Sequence, residues 1–275
     1  MSLFITSLNS GSNGNCYYIG NKKEAVLIDA GLSCREVEKR MHSLDLPVTN
    51  VKAIFISHEH TDHVKGLPGI ASKYKLPVYI TGKTLQKGGF VLRDTVTLPL
   101  GANEPVAIGD LVVTAFPKNH DAVDPHSFII SGEGITIGVF TDIGIPCEHV
   151  IYHFKQCNAA FLEANYDEVL LQQGKYPFQL KQRIRGGKGH LSNKQALDLF
   201  ITHRPSFMSH LLLSHLSREN NCPDLLMQLF TPHATDTSIS IASRFGASPV
   251  YTVYKGENGV IKTIPAPRLL QGVLF

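Results

Sequence analysis

Between residues 58 and 63 the chain places three histidines and one aspartate: His58, His60, Asp62 and His63. They follow an apolar, β-rich run at residues 51–56 that predicts a buried strand. Residues two apart in an extended segment point to the same side, so His58 and His60 can converge on one ion. Asp62 and His63 could serve a second ion, because imidazole and carboxylate are ordinary ligands of zinc, manganese and iron. Any one of these histidines fits a solvated loop, but the set predicts a dinuclear metal site used for hydrolysis.

Two ions need more ligands, and further candidates follow other strand-like runs. His120 follows residues 112–116, Asp142 follows residues 135–140 and His215 follows residues 210–214. Open α/β sheets bind ligands beyond the carboxyl ends of their strands. We therefore expect the four strand ends to meet on one rim.

The composition is that of an ordinary soluble chain of 275 residues, with 43% hydrophobic and 18% charged residues. No apolar run approaches the ~18 residues that a membrane-spanning helix needs. The N-terminus has neither a basic leader nor a long apolar stretch, so we expect no membrane association and a cytoplasmic location. A net charge of +3 is too small to imply a polyanionic partner without a local basic cluster.

No repeat, low-complexity tract or flexible linker divides the sequence, so we expect one domain over residues 1–275. The five cysteines are odd in number and form no Cys-x-x-Cys pair. This argues against a disulfide framework or a thiolate zinc site and predicts buried free thiols.

Strand-like runs continue from one end of the chain to the other. They lie at residues 3–8, 16–19, 25–29, 51–56, 111–116, 128–131, 135–140, 159–162, 211–214, 239–242 and 250–254. Helices are predicted at residues 34–44, 193–202 and 223–230. Capping boxes precede the first two, at Ser33 with Glu36 and at Ser192 with Gln195. Strands cluster first and then alternate with helices, which favours an α/β chain with two sheets and helices outside them.

The ordered motifs are similar to those of the metallo-β-lactamase superfamily. They are His58-x-His60-x-Asp62-His63, then His120, Asp142 in Thr-Asp-Ile-Gly and His215 in Ser-His-Leu-Ser. The resemblance spans most of the chain and implies the four-layer αβ/βα sandwich fold. It places His58, His60 and His120 on one metal ion and Asp62, His63 and His215 on the other, with Asp142 bridging. Asp29 in Leu-Ile-Asp-Ala-Gly matches a position that supports the ligands of that fold, and a turn carboxylate at a strand end is the alternative.

The branch of the superfamily is not settled by these seven residues. The lactamase branch has a thiolate in place of the bridging carboxylate, and Cys147 lies poorly for that role, so antibiotic hydrolysis is not expected. Thioester and lactone hydrolases keep the carboxylate, which leaves acyl and phosphoryl substrates both open.

The second half of the chain is similar to the YycJ (WalJ) group, of which the chain is identified as a member. The shared motifs are residues 162–167, 189–193 and 214–221, with residues 7–12 near the start. A looser similarity to RNase Z implies that His190 protonates or stabilises the departing oxygen while Glu163 orients its imidazole. The alternatives are that Glu163 caps a helix or pairs with a lysine and that His190 packs on Ser192.

A basic stretch lies between Gly174 and His190, with no acidic residue among its members Lys175, Lys181, Arg183, Arg185 and Lys188. It predicts a track for a phosphate backbone that leads to His190, with Arg183 and Lys188 as the first substrate-binding candidates. A solvated loop is the alternative.

These motifs predict a dinuclear metal-dependent phosphodiesterase with two zinc or manganese ions, and the resemblance to the YycJ group implies that it acts on the DNA backbone. A hydroxide between the ions would attack phosphorus, Asp62 would assist as base, and the group implies a 5′ exonuclease. The segment between Asp142 and His215 is too short for the extra nuclease domain of some relatives. The alternatives are a small-molecule hydrolase acting on a cyclic phosphodiester or thioester, and a degenerate fold kept for binding. His126 stands where the group generally has glycine, and no role is predicted for it.

Overall fold

The computed structural model describes residues 2–256 and 258–266, and within them the chain forms fifteen strands. In chain order they are β1 (Ser2–Asn9), β2 (Cys16–Gly20), β3 (Ala25–Ile28), β4 (Val51–Phe55), β5 (Val78–Ile80), β6 (Thr97–Pro99), β7 (Pro105–Ile108), β8 (Leu111–Pro117), β9 (His126–Gly132), β10 (Ile135–Phe140), β11 (Ala159–Glu163), β12 (His210–Ser214), β13 (Ser238–Ile241), β14 (Tyr251–Lys255) and β15 (Ile261–Pro265).

Nine α-helices connect these strands in the same part of the chain. They are α1 (Cys34–Ser43), α2 (Thr61–Val64), α3 (Leu67–Tyr74), α4 (Gly82–Gly88), α5 (Glu148–Phe154), α6 (Glu168–Gln173), α7 (Phe178–Arg185), α8 (Asn193–His203) and α9 (Pro223–Phe230). Among the residues described, no helix combines the length and the apolar character that crossing a membrane requires.

The strands form two sheets, each with an antiparallel and a parallel part. The first has the order β15-β14-β1-β2-β3-β4-β5-β6, and the second has the order β13-β12-β11-β10-β9-β8-β7. Pairing is parallel from β3 to β6 and from β10 to β13. Parallel strands end at the same edge of a sheet, so the loops after β4, β10 and β12 emerge on two edges that face each other.

The core lies in three apolar clusters. The central cluster draws on strands of both sheets, and aromatic pairs join them: Tyr17 meets Phe161 with ring centroids 5.0 Å apart, and Phe55 meets Phe128 at 6.1 Å. The outer clusters pack α1 and α3 on the first sheet and α5, α8 and α9 on the second. This order of helix, sheet, sheet and helix confirms the predicted αβ/βα sandwich.

The predicted elements are confirmed with boundary differences of one or two residues. Strands β5, β6, β7 and β15 and helices α2 to α7 were not predicted, because short elements show too few periods of apolar residues. Ser192 and Gln195 form the expected capping box. Ser33 caps α1, but Glu36 binds Arg40 at 2.8 Å instead of completing the box.

The five cysteines are free, as expected, but the prediction that all are buried is wrong. Cys16 and Cys157 are buried, whereas Cys34, Cys147 and Cys222 are only partly covered. The three exceptions lie on or next to helix starts, where one face of the element meets solvent.

A tight turn after β3 holds the loop that carries the histidine run. The backbone N–H of Ala30 donates to the carbonyl of His63 at 2.8 Å, and that of Asn15 donates to the carbonyl of Asp62 at 2.7 Å. A Cβ on Gly31 would lie 1.7 Å from the Asp62 carbonyl oxygen. Only glycine therefore permits this close approach of two backbones.

We predict that Gly31→Ala lowers the free energy of unfolding by about 3 kcal/mol, because the new methyl group must push the loop at Asp62 away. The measurement is urea denaturation in a chelator. Gly69→Ala is the matched control: its Cβ would meet Cys34 at an ordinary 3.5 Å in α3, and we expect equal or higher stability. Equal stability of the Gly31 variant and the unmodified protein would contradict the proposed role of this turn.

Candidate metal centre

The structure brings all seven predicted ligand side chains to one rim between the two sheets. They come from four chain segments. Residues 58–63 supply His58 and His60 after β4 and Asp62 and His63 on α2, and the segments after β8, β10 and β12 supply His120, Asp142 and His215. Their ligand atoms form three overlapping groups within which all atoms lie within 4.8 Å of one another: His58 with His60 and His120, His58 with His63 and Asp142, and Asp62 with His63 and His215. Asp142 and His215 also belong to a fourth, alternative group of the same size limit, with Glu163 and His190.

Three residues of the rim adopt the left-handed backbone conformation that non-glycine residues rarely take. The φ angles are 63° at Asp29, 54° at Asp142 and 58° at His215. Asp29 and His215 directly follow β3 and β12, and Asp142 lies two residues after the end of β10. The conformation turns the chain sharply at the sheet edge, and such strain concentrates at functional sites.

The first group consists of imidazoles alone. His58 Nε2 lies 3.0 Å from His60 Nδ1, which lies 3.4 Å from His120 Nε2. Burial lowers the pKa of His58 well below its usual range and lowers that of His120 to about 4. The rings of His58 and His120 are therefore neutral. Three imidazole nitrogens that converge so closely can offer their lone pairs to one transition-metal ion.

The second group combines imidazole with carboxylate. His63 Nε2 lies 3.1 Å from Asp142 Oδ2, and His215 Nε2 lies 3.5 Å from Asp142 Oδ1 and 3.6 Å from Asp62 Oδ2. Burial disfavours a charged His215, but the neighbouring carboxylates of Asp142, Asp62 and Glu163 raise its pKa to about 10. The two oxygens of Asp142 therefore face both ligand sets: Oδ2 faces His63, and Oδ1 lies 3.9 Å from His120 Nε2, as a bridging carboxylate requires.

The donor set fits divalent cations on two further observations. Asp142 Oδ2 and His215 Nε2 are buried and have no hydrogen-bond partner. Four carboxylates surround the rim, namely Asp29, Asp62, Asp142 and Glu163. The buried Lys118 lies behind them and donates its Nζ hydrogen to the Thr141 carbonyl at 2.6 Å. Asp29, Asp142 and Glu163 are buried and Asp62 is 22% exposed, so Lys118 alone leaves most of this negative charge to protonated histidines or to metal ions.

Hydrogen bonds orient the imidazoles from behind. The Nδ1–H of His63 donates to Asp29 Oδ2 at 2.7 Å, and that of His120 donates to the Gly189 carbonyl at 3.0 Å. Asp29 also accepts the N–H and the hydroxyl of Ser57, both at 2.8 Å. Each bond leaves Nε2 free for the rim, the arrangement typical of metal-binding histidines. Asp29 therefore lies where the resemblance implied.

Several supporting residues were not predicted. Asn15 Nδ2 donates to Asp62 Oδ2 at 3.1 Å, and Asn165 Nδ2 donates to the His215 carbonyl at 2.7 Å. Asn165 lies within the motif at residues 162–167, and Asn15 follows the motif at residues 7–12 closely. Their position in or beside these motifs was the available sequence signal for a supporting role. The Gly189 carbonyl has no side-chain signature, so only the fold reveals its role.

Glu163 joins His190 to the rim. Its Oε1 accepts the Nδ1–H of His190 at 2.8 Å and that of His215 at 3.0 Å. Its Oε2 accepts the backbone N–H groups of Ile143 at 2.7 Å and Leu191 at 3.2 Å. Burial would raise the pKa of Glu163, but His190 and His215 hold it at about 2, so the group stays a carboxylate. It pairs with two histidines, not with a lysine.

A cavity of about 190 Å³ opens beside this pair. Its walls include His190, His215, Tyr176, Arg183 and Ser217. His190 is the accessible member, because 23% of its side chain is exposed whereas Glu163 is fully buried. We call this cavity the cleft.

The basic stretch is a helix over much of its length, α7, and not a loop. Arg183 lines the cleft and pairs with Asp121. Lys188 is exposed and is not among the residues that line it. Lys181 donates to the Gln172 carbonyl on α6 at 2.7 Å, on the outer surface. Of these three basic residues, only Arg183 therefore lines the cleft.

His126 has a structural explanation. Its backbone N–H donates to the Ser57 carbonyl at 3.0 Å, and its Nδ1–H donates to the Asp124 carbonyl at 2.9 Å. It is buried at the start of β9 and belongs to none of the ligand groups found in residues 2–256 and 258–266. It ties the second sheet to the histidine loop.

The comparisons with known proteins agree with this geometry. Residues 24–215 match the family model of the Beta-lactamase superfamily domain. Exodeoxyribonuclease YycJ of Bacillus anthracis is 32% identical over 228 residues, which covers 82% of this chain and 86% of the relative.

Solved structures share the fold at low sequence identity. The metallo-beta-lactamase fold protein YhfI from Bacillus subtilis has a TM-score of 0.70 at 16% identity, covering 90% of this chain and 99% of that one. Human tRNase Z, short form, has a TM-score of 0.60 at 16% identity, covering 89% and 98%. The chain belongs to the beta-lactamase superfamily and, within it, to the YycJ group.

Proposed function

We propose that the chain is a metal-dependent exodeoxyribonuclease that hydrolyses the phosphodiester backbone of DNA in the cleft. The observation that carries the proposal is the Glu163–His190 pair, which lies beside the seven-residue ligand cluster and faces the cleft. A related chain that covers most of this one is named an exodeoxyribonuclease. Acyl hydrolysis would make less use of this carboxylate–imidazole pair, because we propose that its accessible histidine protonates a leaving group.

The superfamily implies divalent metal binding, and we infer two ions. His58, His60 and His120 would hold one, Asp62, His63 and His215 the other, with Asp142 shared. Nitrogen and oxygen donors without thiolate suit zinc and manganese. When bound, the ions would supply positive charge that neutralises the scissile phosphate and makes a water molecule easier to deprotonate.

The side chains divide the remaining work. His190, accessible in the cleft, donates a proton to the departing oxygen, and Glu163 fixes its ring and tautomer. Arg183 binds a backbone phosphate from the cleft wall. Asp62 suits ligation better than proton transfer, because burial would raise its pKa but His63 and His215 hold it well below its usual range. Lys188, exposed beside His190 in the chain, would contact DNA only beyond the cleft.

The direction of cleavage and the compartment are also proposals. The YycJ resemblance favours attack from 5′ ends. Five free cysteines favour a reducing compartment such as the cytoplasm.

The function is tested by comparing substrates with zinc or manganese present. We expect hydrolysis of linear single-stranded DNA and of bis(p-nitrophenyl) phosphate, and little hydrolysis of a glutathione thioester. Oligonucleotides labelled at either end report the direction, and circular single-stranded DNA should resist cleavage. A preference for the thioester, or equal cleavage of circles, would contradict an exodeoxyribonuclease.

Asp29→Asn should lower metal affinity about 10- to 100-fold, because the amide cannot accept the hydrogens of both Ser57 and His63 as the carboxylate does. Competition with a chelating dye measures the affinity. Asp110→Asn is the matched control, since its exposed pair with Lys23 lies at the opposite ends of β8 and β3, the strands that His120 and Asp29 follow. Unchanged affinity in the Asp29 variant would show that the hydrogen bond to His63 does not support a ligand.

His190→Ala should lower the rate on DNA by about 10²- to 10⁴-fold, the usual contribution of a general acid. The loss on bis(p-nitrophenyl) phosphate should be much smaller, because p-nitrophenolate leaves without protonation. Metal affinity should stay unchanged in this variant. His149→Ala, an exposed histidine on α5, is the control.

Unlike His190→Ala, Glu163→Gln should lower both the rate and metal affinity, because Glu163 also orients His215. A His190 variant that loses metal would overturn the assignment. It would mark His190 as a ligand in the alternative group with Asp142, Glu163 and His215.

A further inference from the structure

A second cavity of about 140 Å³ adjoins the cleft. Ser217 lines both, so the two spaces meet at this residue. The walls of the second cavity include Arg218, Ser243, Arg244 and Phe245. None of these four residues touches the ligand cluster or has a role in the function proposed above.

The second cavity is held at a fixed distance from the cleft by the loop after β1. Ser12 of this loop lines the cleft, and the neighbouring Asn13 donates its Nδ2 hydrogen to the Arg244 carbonyl at 2.8 Å. The backbone N–H of Ser10 donates to the Ser243 carbonyl at 3.1 Å. The same Ser10 accepts the backbone N–H of His215 through its hydroxyl at 2.7 Å. One loop therefore contacts a proposed metal ligand and the wall of the second cavity.

The cavity presents two guanidinium groups. Arg244 is half-buried, and its Nη1 is covered yet has no hydrogen-bond partner. Burial and the neighbouring charge of Arg218 both lower the pKa of Arg244, which remains a cation. Arg218 lies 3.4 Å from Glu219, in a pair whose side chains are 70% and 60% exposed and therefore weak. A covered guanidinium nitrogen without an acceptor can bind an anion.

An exposed aromatic ring completes the cavity. Phe245 is 79% exposed, and the Arg244 guanidinium carbon lies 6.0 Å from the ring centroid. A single exposed phenylalanine is common on protein surfaces. Beside two arginines and next to the cleft, however, it matches the combination that binds single-stranded nucleic acid, in which cations track the backbone and an aromatic ring stacks with a base.

We propose that the second cavity is a subsite for the DNA strand beyond the cleaved bond, where Arg218 and Arg244 bind a phosphate and Phe245 stacks with a base. The proposal rests on the proposed function for its substrate. It assigns the cleft to the reacting phosphate and the second cavity to a neighbouring nucleotide. A substrate that fills only the cleft would gain nothing from the second cavity, which gives the enzyme a preference for strands over small phosphodiesters.

The test is binding of a fluorescent single-stranded oligodeoxynucleotide to the full chain in EDTA, followed by anisotropy, so that no cleavage is needed. Arg244→Ala and Phe245→Ala should each raise Kd about tenfold. The slope of log K against log salt should fall by about 0.7 in Arg244→Ala and stay unchanged in Phe245→Ala, because only the first variant loses a phosphate contact. Arg244→Lys should recover most of the salt slope.

The controls match each residue type. Arg35→Ala removes an exposed arginine of α1, and Phe207→Ala removes a phenylalanine that is 49% exposed and precedes β12, at the end of that strand opposite to His215. Both should bind like the unmodified protein. Circular dichroism checks that each variant is folded.

Catalysis supplies a second readout with zinc or manganese present. The loss of kcat/KM in the Arg244 and Phe245 variants should be at least tenfold larger on the oligonucleotide than on bis(p-nitrophenyl) phosphate. Equal losses on both substrates would overturn the subsite, as would variants that bind like the unmodified protein or an unmodified protein that fails to bind. Binding that depends on these residues without any hydrolysis of DNA would support the subsite and refute the proposed nuclease instead.

Discussion

Two buried carboxylates, one from each sheet, organise the rim on which every proposed function depends. Asp29 follows β3 in the first sheet, and Glu163 ends β11 in the second. A buried carboxylate is costly unless it is fully hydrogen-bonded, and both satisfy this condition with backbone N–H groups and imidazoles. Because these contacts run from one strand end to the next within a sheet, they fix His63 relative to the first sheet and His215 relative to the second.

Without a bound cation, the same rim contains energetically unfavourable features. Asp142 and His215 take a left-handed backbone conformation, and each carries a buried polar atom with no hydrogen-bond partner. Metal ions would satisfy these atoms and offset the surrounding negative charge. We therefore regard the metal as part of what stabilises the rim as well as part of its chemistry.

The two sides of the rim differ electrostatically, and the cleft opens on only one of them. Burial keeps His58 and His120 neutral on the imidazole side, whereas carboxylates raise the pKa of His215 on the other. The cleft is lined by His215 and His190, which share Glu163. In the proposed function, substrate would therefore enter from the carboxylate side, next to His190, the residue proposed to serve the leaving group.

The sequence by itself determined the local chemistry: a run of ligands directly after an apolar strand, the strand ends that carry the others, and the motifs around Glu163 and His190. These follow from side-chain type and short-range periodicity, whereas the αβ/βα fold was implied by the resemblance of the ordered motifs to the metallo-β-lactamase superfamily. Short elements such as β5 and β6, and the helix α7 within the basic stretch, were not predicted because a few residues show no reliable period of apolar side chains. Only the tertiary structure decided that Glu163 serves two histidines, that Arg183 reaches the cleft, and that Arg244 and Phe245 lie next to it. Those relations join residues distant in sequence, and only the packing of two sheets brings them together.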